Sequence, residues 1–108
     1  MLGVAKVGDQ GHGNCYAGHP DVKKGKPKEM TTEFLTGSPD VFINGMPMAT
    51  VGTIGHTTCG HHTEALTGSS TVFVNGMPVH LLGSIGVVTD DGGGDYDTIT
   101  ASTDVYAG

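Results

Sequence analysis

Residues 37–47 read Gly-Ser-Pro-Asp-Val-Phe-Ile-Asn-Gly-Met-Pro, and residues 68–78 read Gly-Ser-Ser-Thr-Val-Phe-Val-Asn-Gly-Met-Pro. Each copy places a short β-branched and aromatic run before Asn-Gly. That dipeptide suits a two-residue type I′ turn, because both of its positions tolerate positive φ. The proline after each turn cannot donate a ladder hydrogen bond and is expected at an edge-facing position. Two copies of one pattern, 31 residues apart, therefore predict two similar β-hairpins.

The two ends of the chain predict a third hairpin. The segments that follow the turns, residues 48–52 and 79–83, resemble residues 4–8, and residues 102–108 match the outgoing strand in length. The chain thus begins on a returning strand and ends on an outgoing one. We expect three hairpins with approximate threefold symmetry, closed where the termini meet, because closure removes the open edges that a lone hairpin would present.

The composition favours one small all-β domain. The chain has 108 residues, 19 of them glycine and 5 proline, and only 36% are apolar. So many helix breakers disfavour long helices, and so thin a core usually needs a staple such as a metal. The expected fold is a pseudo-threefold cone over residues 1–108, without a fused effector extension. Its connecting loops, residues 9–36, 53–66 and 84–100, leave one side and converge at a zinc-pinned tip.

The charge pattern excludes several partners. Five lysines and no arginine face 11 acidic residues, a net charge of −6, and every lysine precedes residue 29. Nucleic-acid binding needs clustered cations, which most of the chain lacks. No apolar run has the length of a signal-peptide core or a membrane span. Any export from the cytoplasm, where the chain is made, is therefore expected to use a route without a cleaved signal.

Histidine and cysteine are concentrated in two segments, residues 12–19 and 56–62. His56, Cys59 and His62 are spaced three apart, and such short spacings let neighbouring side chains reach one ion. His61 and His62 point to opposite sides of an extended chain, so only one of them is expected to ligate.

We expect His12 to be the fourth ligand, since its loop leaves the same side of the cone. The alternatives are Cys15, His19 and His80 for the fourth position and His61 in place of His62. Three imidazoles and one thiolate make a closed tetrahedral Zn²⁺ site. Such sites contribute about 10–16 kcal/mol of apparent binding energy, which becomes folding energy in a thin core. Ligation also suits the two cysteines better than a disulfide, because both lie within three residues of a histidine.

Catalysis has little support in the sequence. A catalytic zinc keeps an open position and usually a nearby general base, and Glu64 is the only acid near the cluster. Cys59 is better used as a ligand than as a nucleophile. We therefore expect a protein that is not an enzyme, with a small zinc-dependent hydrolase or a secreted zinc-binding module as the alternatives.

The Val-Phe-(Ile/Val)-Asn-Gly-x-Pro hairpins, the Gly-Ser lead-ins, the opening Lys6-Val7-Gly8-Asp9 and the closing Val105-Tyr106-Ala107-Gly108 together resemble the PAAR-repeat family over essentially the whole chain. The resemblance implies a small cone that caps the blunt end of a trimeric spike protein, one copy per trimer. It implies a type VI secretion apparatus or a contractile phage tail as the host machine. The tip would contact the target-cell membrane mechanically, and the protein would be secreted or virion-associated.

The resemblance also implies a zinc near the vertex of the cone, held by three histidines and one cysteine. The matching positions are His12, His56, Cys59 and His62. The family signature is degraded here to Pro47-Met48-Ala49-Thr50 and Pro78-Val79-His80-Leu81. Thr53 and Ser84 stand where the first repeat has Asp9, and Lys6 is the only basic residue at the arginine position. Because of these departures from the family pattern, we do not expect a buried Arg–Asp arrangement between repeats in this chain.

Overall fold

The computed structural model describes residues 1–108, which form twelve β-strands and no helix. Consequently no helix is long and apolar enough to cross a membrane. Six two-residue strands pair as three small hairpins: β1 (Leu2–Gly3) with β12 (Tyr106–Ala107), β4 (Phe42–Ile43) with β5 (Met46–Pro47), and β8 (Phe73–Val74) with β9 (Met77–Pro78). The remaining strands are β2 (Gln10–Cys15), β3 (Lys28–Phe34), β6 (Ile54–Thr57), β7 (His62–Ala65), β10 (Ile85–Val88) and β11 (Gly94–Thr98).

The three small hairpins confirm the prediction from the repeats. Phe42 pairs with Pro47, and Phe73 pairs with Pro78, in the same register. Asn44 and Asn75 both have φ of 51°, and the glycine after each is also at positive φ, as a type I′ turn requires. The third hairpin joins the two ends of the chain, since Leu2 pairs with Ala107.

The segments expected as connecting loops form strands instead. Each contains a longer antiparallel hairpin, and the six strands close into one barrel in the order β10-β11-β2-β3-β6-β7. The sequence does not reveal these barrel strands, because they are rich in glycine, threonine and charged residues and lack the alternation of apolar side chains that marks a half-buried strand.

A ring of three backbone hydrogen bonds joins the repeats. Ala5 N donates to His80 O (2.9 Å), His80 N donates to Ala49 O (3.0 Å), and Ala49 N donates to Ala5 O (2.9 Å). These three residues occupy the same place in the three repeats, which we call equivalent positions. Each returning segment therefore contacts both of the others, and the threefold arrangement is closed.

A second ring of contacts links the hairpin turns. Asn75 Nδ2 donates to Asp40 Oδ1 (3.0 Å), and Asn44 Nδ2 donates to Asp104 Oδ1 (3.5 Å). Between the remaining pair of hairpins, the Thr71 hydroxyl donates to Gly108 O (3.0 Å). The terminal strand thus completes the ring with a backbone carbonyl where the other two repeats use an asparagine side chain.

Thr53 and Ser84 stand at the positions equivalent to Asp9, and they make the same hydrogen bond to the backbone. In each repeat the side-chain oxygen accepts from the backbone N–H three residues earlier, at 3.0 Å. Only Asp9 adds an ion pair, with Lys6 Nζ at 3.2 Å. A hydroxyl is sufficient for this turn, so the loss of the carboxylate in two repeats leaves the fold intact.

The core breaks the symmetry of the backbone. Three sets of equivalent positions face the axis, and each set combines one bulky side chain with two smaller ones. The sets are Tyr96 with Thr32 and Thr63, Phe34 with Ala65 and Thr98, and His80 with Ala5 and Ala49, all of them buried. The three bulky rings lie against one another, with centroid separations of 5.3 to 6.0 Å. One large ring per set fills an axis that three equal large side chains would overfill.

Glycine makes room for Tyr96. A Cβ added at Gly86 would lie 2.1 Å from the tyrosine ring, and one at the equivalent Gly11 would lie 2.3 Å from it. At the third equivalent position, Gly55, the same atom would meet the hydroxyls of Thr32 and Thr63 at 2.5 Å. Glycine is required at these three positions, because any larger residue there would collide with the side chains that fill the barrel.

His80 is fully buried and fully hydrogen-bonded. Its Nδ1 donates to the Thr67 carbonyl at 2.7 Å, which leaves Nε2 to accept from the Thr98 hydroxyl at 2.8 Å. Burial lowers the pKa of this imidazole. Both ring nitrogens therefore have partners within the protein, and the side chain is held in its neutral form.

We predict that Phe34→Ala destabilises the fold by about 3–5 kcal/mol, because it empties the centre of the barrel. Phe42→Ala is the matched control: Phe42 is 55% exposed, whereas Phe34 is 0% exposed, and we expect a change within about 0.5 kcal/mol. Urea unfolding measures both, and Phe34→Leu provides an intermediate loss if the alanine variant does not fold. Equal midpoints for Phe34→Ala and Phe42→Ala would contradict this description of the core.

We predict that His80 makes the fold sensitive to acid. Because its pKa is lowered in the folded state, only the unfolded chain takes up this proton as the pH falls below about 6.5. Stability is then lost by up to about 1.4 kcal/mol per pH unit, and none is lost above that pH. His80→Gln should flatten the dependence of unfolding free energy on pH between 7 and 5 relative to the parent protein. An unchanged slope in His80→Gln would refute the prediction.

Candidate metal centre

Four sulfur and nitrogen ligand side chains meet at the end of the barrel remote from the small hairpins. They are Cys15, His19, Cys59 and His61, and their ligand atoms all lie within 4.8 Å of one another. Cys15 ends β2, and His19 lies in the loop that follows it. Cys59 and His61 lie in the turn between β6 and β7. The two connections therefore bring two ligands each, and the four side chains lie close enough to bind one metal ion.

The alternation of strand β2 explains why Cys15 is in the cluster. Side chains along a strand point to opposite faces in turn, and β2 buries Gly11 and Cys15 while it exposes His12. An odd separation of three residues thus sends His12 and Cys15 to opposite faces. The same rule separates His61, which joins the cluster, from the exposed His62.

The spacing of the ligand atoms fits a tetrahedral site. Cys15 Sγ lies 3.4 Å and Cys59 Sγ lies 3.7 Å from His61 Nδ1. With zinc–sulfur and zinc–nitrogen bonds of about 2.3 and 2.0–2.1 Å, a tetrahedron places such atoms about 3.5 Å apart. These two separations match the tetrahedral value, and all four ligand atoms lie within 4.8 Å of one another.

His19 gives the strongest indication that this cluster binds a metal ion. Both of its ring nitrogens are buried, and neither has a hydrogen-bond partner. Burying a polar group without a partner is costly. Its ring lies 4.9 Å from that of His61, edge to face. A metal bound among the four side chains would satisfy one of the unpartnered nitrogens, so the donor set fits a metal.

The cluster is partly shielded from solvent, with Cys15 buried and the other three side chains half-buried. Burial raises the pKa of the Cys15 thiol, and the neighbouring Cys59 and Asp90 raise it further against a lowering by the Ala17 backbone amide. Burial also lowers the pKa of His19, helped by His61 and Lys28. Neutral imidazoles are ready to ligate, whereas thiols must lose their protons to the solvent when a metal binds.

Thr57 orders the turn that carries two of the ligands. Its hydroxyl oxygen accepts from the His61 backbone N–H at 2.8 Å and lies 3.1 Å from Cys59 Sγ. Hydrogen bonds of this kind orient the first ligands of a metal site. The buried position of Thr57 therefore fixes Cys59 and His61 relative to each other.

The structure brings only one of the four predicted ligands, Cys59, into this cluster. His12 faces outward on β2, with Nε2 3.7 Å from Glu29. His56 and His62 pair with each other on the outside of the barrel. The role of these three histidines at the Cys59 site stays a prediction, and the structure offers Cys15, His19 and His61 at that place instead.

The three additional residues had all been alternatives from the sequence. Spacing alone did not separate His61 from His62, or His12 from Cys15, because the choice depends on which face of each strand turns inward. The strand phase of β2 is the missing signal, because the sequence predicts a loop over residues 9–36 and therefore gives no phase. Both cysteines are free thiols in the structure, as expected for ligands rather than for a disulfide.

Comparison with known proteins identifies the repeats. A family model described as "PAAR motif" matches residues 24–86, which is more than half of the 108 residues. A search of curated proteins finds no match. The matched segment contains both Asn-Gly hairpins and the turn that carries Cys59 and His61. The chain therefore belongs to the PAAR-repeat family, the spike-tip proteins of contractile injection systems.

Proposed function

We propose that this protein caps the blunt end of a trimeric spike, with the three small hairpins at the interface and the cysteine–histidine cluster at the free tip. The observation that carries the proposal is a threefold repeat of exposed apolar side chains on the hairpins. Phe42, Phe73 and Tyr106 occupy equivalent positions and are 55%, 54% and 49% exposed.

A second exposed apolar residue accompanies each aromatic one. Met46, Met77 and Leu2 are also equivalent to one another, and all are exposed. Each hairpin thus presents an aromatic and an aliphatic side chain in the same relation. Exposed apolar patches of this kind mark interaction sites. Three copies around one axis match a partner that itself has threefold symmetry.

The shape of the molecule supports the same orientation. The chain is elongated, with extents of 39 × 24 × 23 Å, and the barrel strands lead away from the hairpins towards the cluster. A pseudo-threefold monomer offers three similar faces to a trimer and narrows the assembly to a single chain. One copy per trimer is therefore the expected stoichiometry, in a phage tail or in a type VI secretion apparatus.

We propose that Cys15, His19, Cys59 and His61 hold one Zn²⁺ ion. A set of two thiolates and two imidazoles is typical of structural zinc. When bound, the ion would join the loop after β2 to the turn between β6 and β7. Stiffness at the tip is the property that mechanical penetration of a membrane requires.

The donor set also supports a role other than catalysis. Four protein ligands complete a tetrahedral shell, whereas a catalytic zinc keeps one position for water or substrate. Cobalt substitution separates this proposal from a small zinc-dependent hydrolase. A four-coordinate spectrum without exchangeable water supports the structural role, and an exchangeable water would favour the hydrolase.

We predict that Phe42→Ser combined with Phe73→Ser abolishes binding to the trimeric spike protein of the same organism, because two of the three apolar pairs are lost. Leu35→Ser combined with Leu66→Ser is the matched control. These leucines are as exposed, at 52% and 50%, but they directly follow strands β3 and β7 and lie outside the small hairpins. Native mass spectrometry after co-expression measures the complex. Three copies per trimer, or equal losses in the two variants, would contradict the proposal.

We predict that adjacent histidines respond differently to substitution. His61→Asn should weaken zinc binding at the cluster by more than about a hundredfold, because loss of a ligand exceeds the 10–100-fold effect of losing an outer partner. His62→Asn should leave this affinity unchanged. Competition with a chelator measures the affinity, and the thiolate-to-cobalt absorption band reports this site alone. Equal effects of the two substitutions would rule out the assigned ligand set.

A further inference from the structure

Two histidines outside the cluster face each other on the outer surface of the barrel. His56 on β6 and His62 on β7 are register partners. Thr57 N donates to His61 O, and Ala65 N donates to Thr53 O. Because paired and unpaired positions alternate in an antiparallel ladder, His56 and His62 form a non-hydrogen-bonded pair, the kind whose side chains stand closest.

The rings of this pair are close and free to move. Their centroids are 5.3 Å apart at an interplanar angle of 77°. Both residues are exposed, and neither packs in the core of the barrel. Small rotations about their side-chain bonds are therefore sufficient to turn two nitrogens towards one point.

Carboxylates flank the pair on both sides. Asp90 Oδ1 lies 3.8 Å from His62 Nδ1. Glu33 on β3 is the register partner of His56 on the side away from His62, and it is exposed. The surface thus carries an acid, two imidazoles and a second acid in one row across neighbouring strands. The negative charge of the row favours a cation over any anion.

We propose that His56 and His62 form a second metal site, which takes a divalent transition-metal ion such as Zn²⁺ or Ni²⁺. Imidazole suits these ions, and a neighbouring carboxylate adds an oxygen donor. Asp90 offers a carboxylate oxygen 3.8 Å from His62 Nδ1 on one side of the pair, and Glu33 is the register partner of His56 on the other side. The site is separate from the cysteine–histidine cluster, because His61 and His62 project from opposite faces of the chain. The proposal does not rest on the role at the spike.

The second site differs from the cluster in two measurable ways. It contains no thiolate, so cobalt bound there gives no thiolate-to-metal absorption band. It is open to solvent and has at most two imidazoles, so its ion exchanges faster and is removed by a weaker chelator. These differences let the two sites be counted separately in one sample.

Native mass spectrometry of the full chain with excess Zn²⁺ tests the proposal. We expect two ions in the parent protein and one in His56→Asn or His62→Asn. His12→Asn should keep two ions; it is the matched control, since His12 is exposed on another strand of the barrel, where its register partners are Asp97 and Thr31 and not a second imidazole. Titration of Ni²⁺ should show at least about a tenfold loss of affinity at the weaker site in both pair variants.

The outcomes separate this proposal from that for the cluster. A single ion in the parent protein, or a second ion that persists in His56→Asn and His62→Asn, would overturn the second site. If cobalt binding gives no thiolate-to-metal absorption band, the assignment of the cluster is overturned and the proposal of the second site is unaffected. Loss of the second ion in His12→Asn would also count against the His56–His62 pair, because it would place that ion elsewhere.

Discussion

The rest of the structure depends on the ring of hydrogen bonds among Ala5, Ala49 and His80. A closed ring of three similar segments leaves no edge unpaired, but it places three equivalent side chains on one narrow axis. Three small residues would leave a void there and three large ones would collide. The chain resolves this conflict by using one large residue in each set, and Phe34, Tyr96 and His80 then pack against each other.

The two ends of the molecule use symmetry differently. The hairpin end keeps it: the exposed aromatic residues repeat three times with nearly equal exposure. The cluster end lacks threefold symmetry, because β10 and β11 are joined by a turn without histidine or cysteine. Two of the three connections supply all four donors. A surface suited to a threefold partner and a single metal centre can coexist in one short chain because the barrel between them tolerates unequal side chains.

Two histidines with buried ring nitrogens, His80 and His19, differ in whether those nitrogens have hydrogen-bond partners. His80 has a partner for each ring nitrogen, so its burial is compensated within the protein. His19 has none, although it lies beside two thiols and another imidazole. The contrast within one small fold is what distinguishes a structural histidine from a ligand, and it is visible only when hydrogen bonds are followed atom by atom.

The repeated Asn-Gly segments were enough to establish three hairpins and their closure by the chain ends, because turn chemistry is local and periodic. The concentration of histidine and cysteine likewise established a candidate metal site. The barrel and the ligand set were decided by tertiary structure. Glycine and threonine strands such as residues 54–57 have no apolar alternation to detect, and Tyr96 fills the space beside Gly11 and Gly86 on two other strands. Which of His12 and Cys15, or of His61 and His62, turns inward depends on strand phase, and that phase is fixed only when the barrel closes.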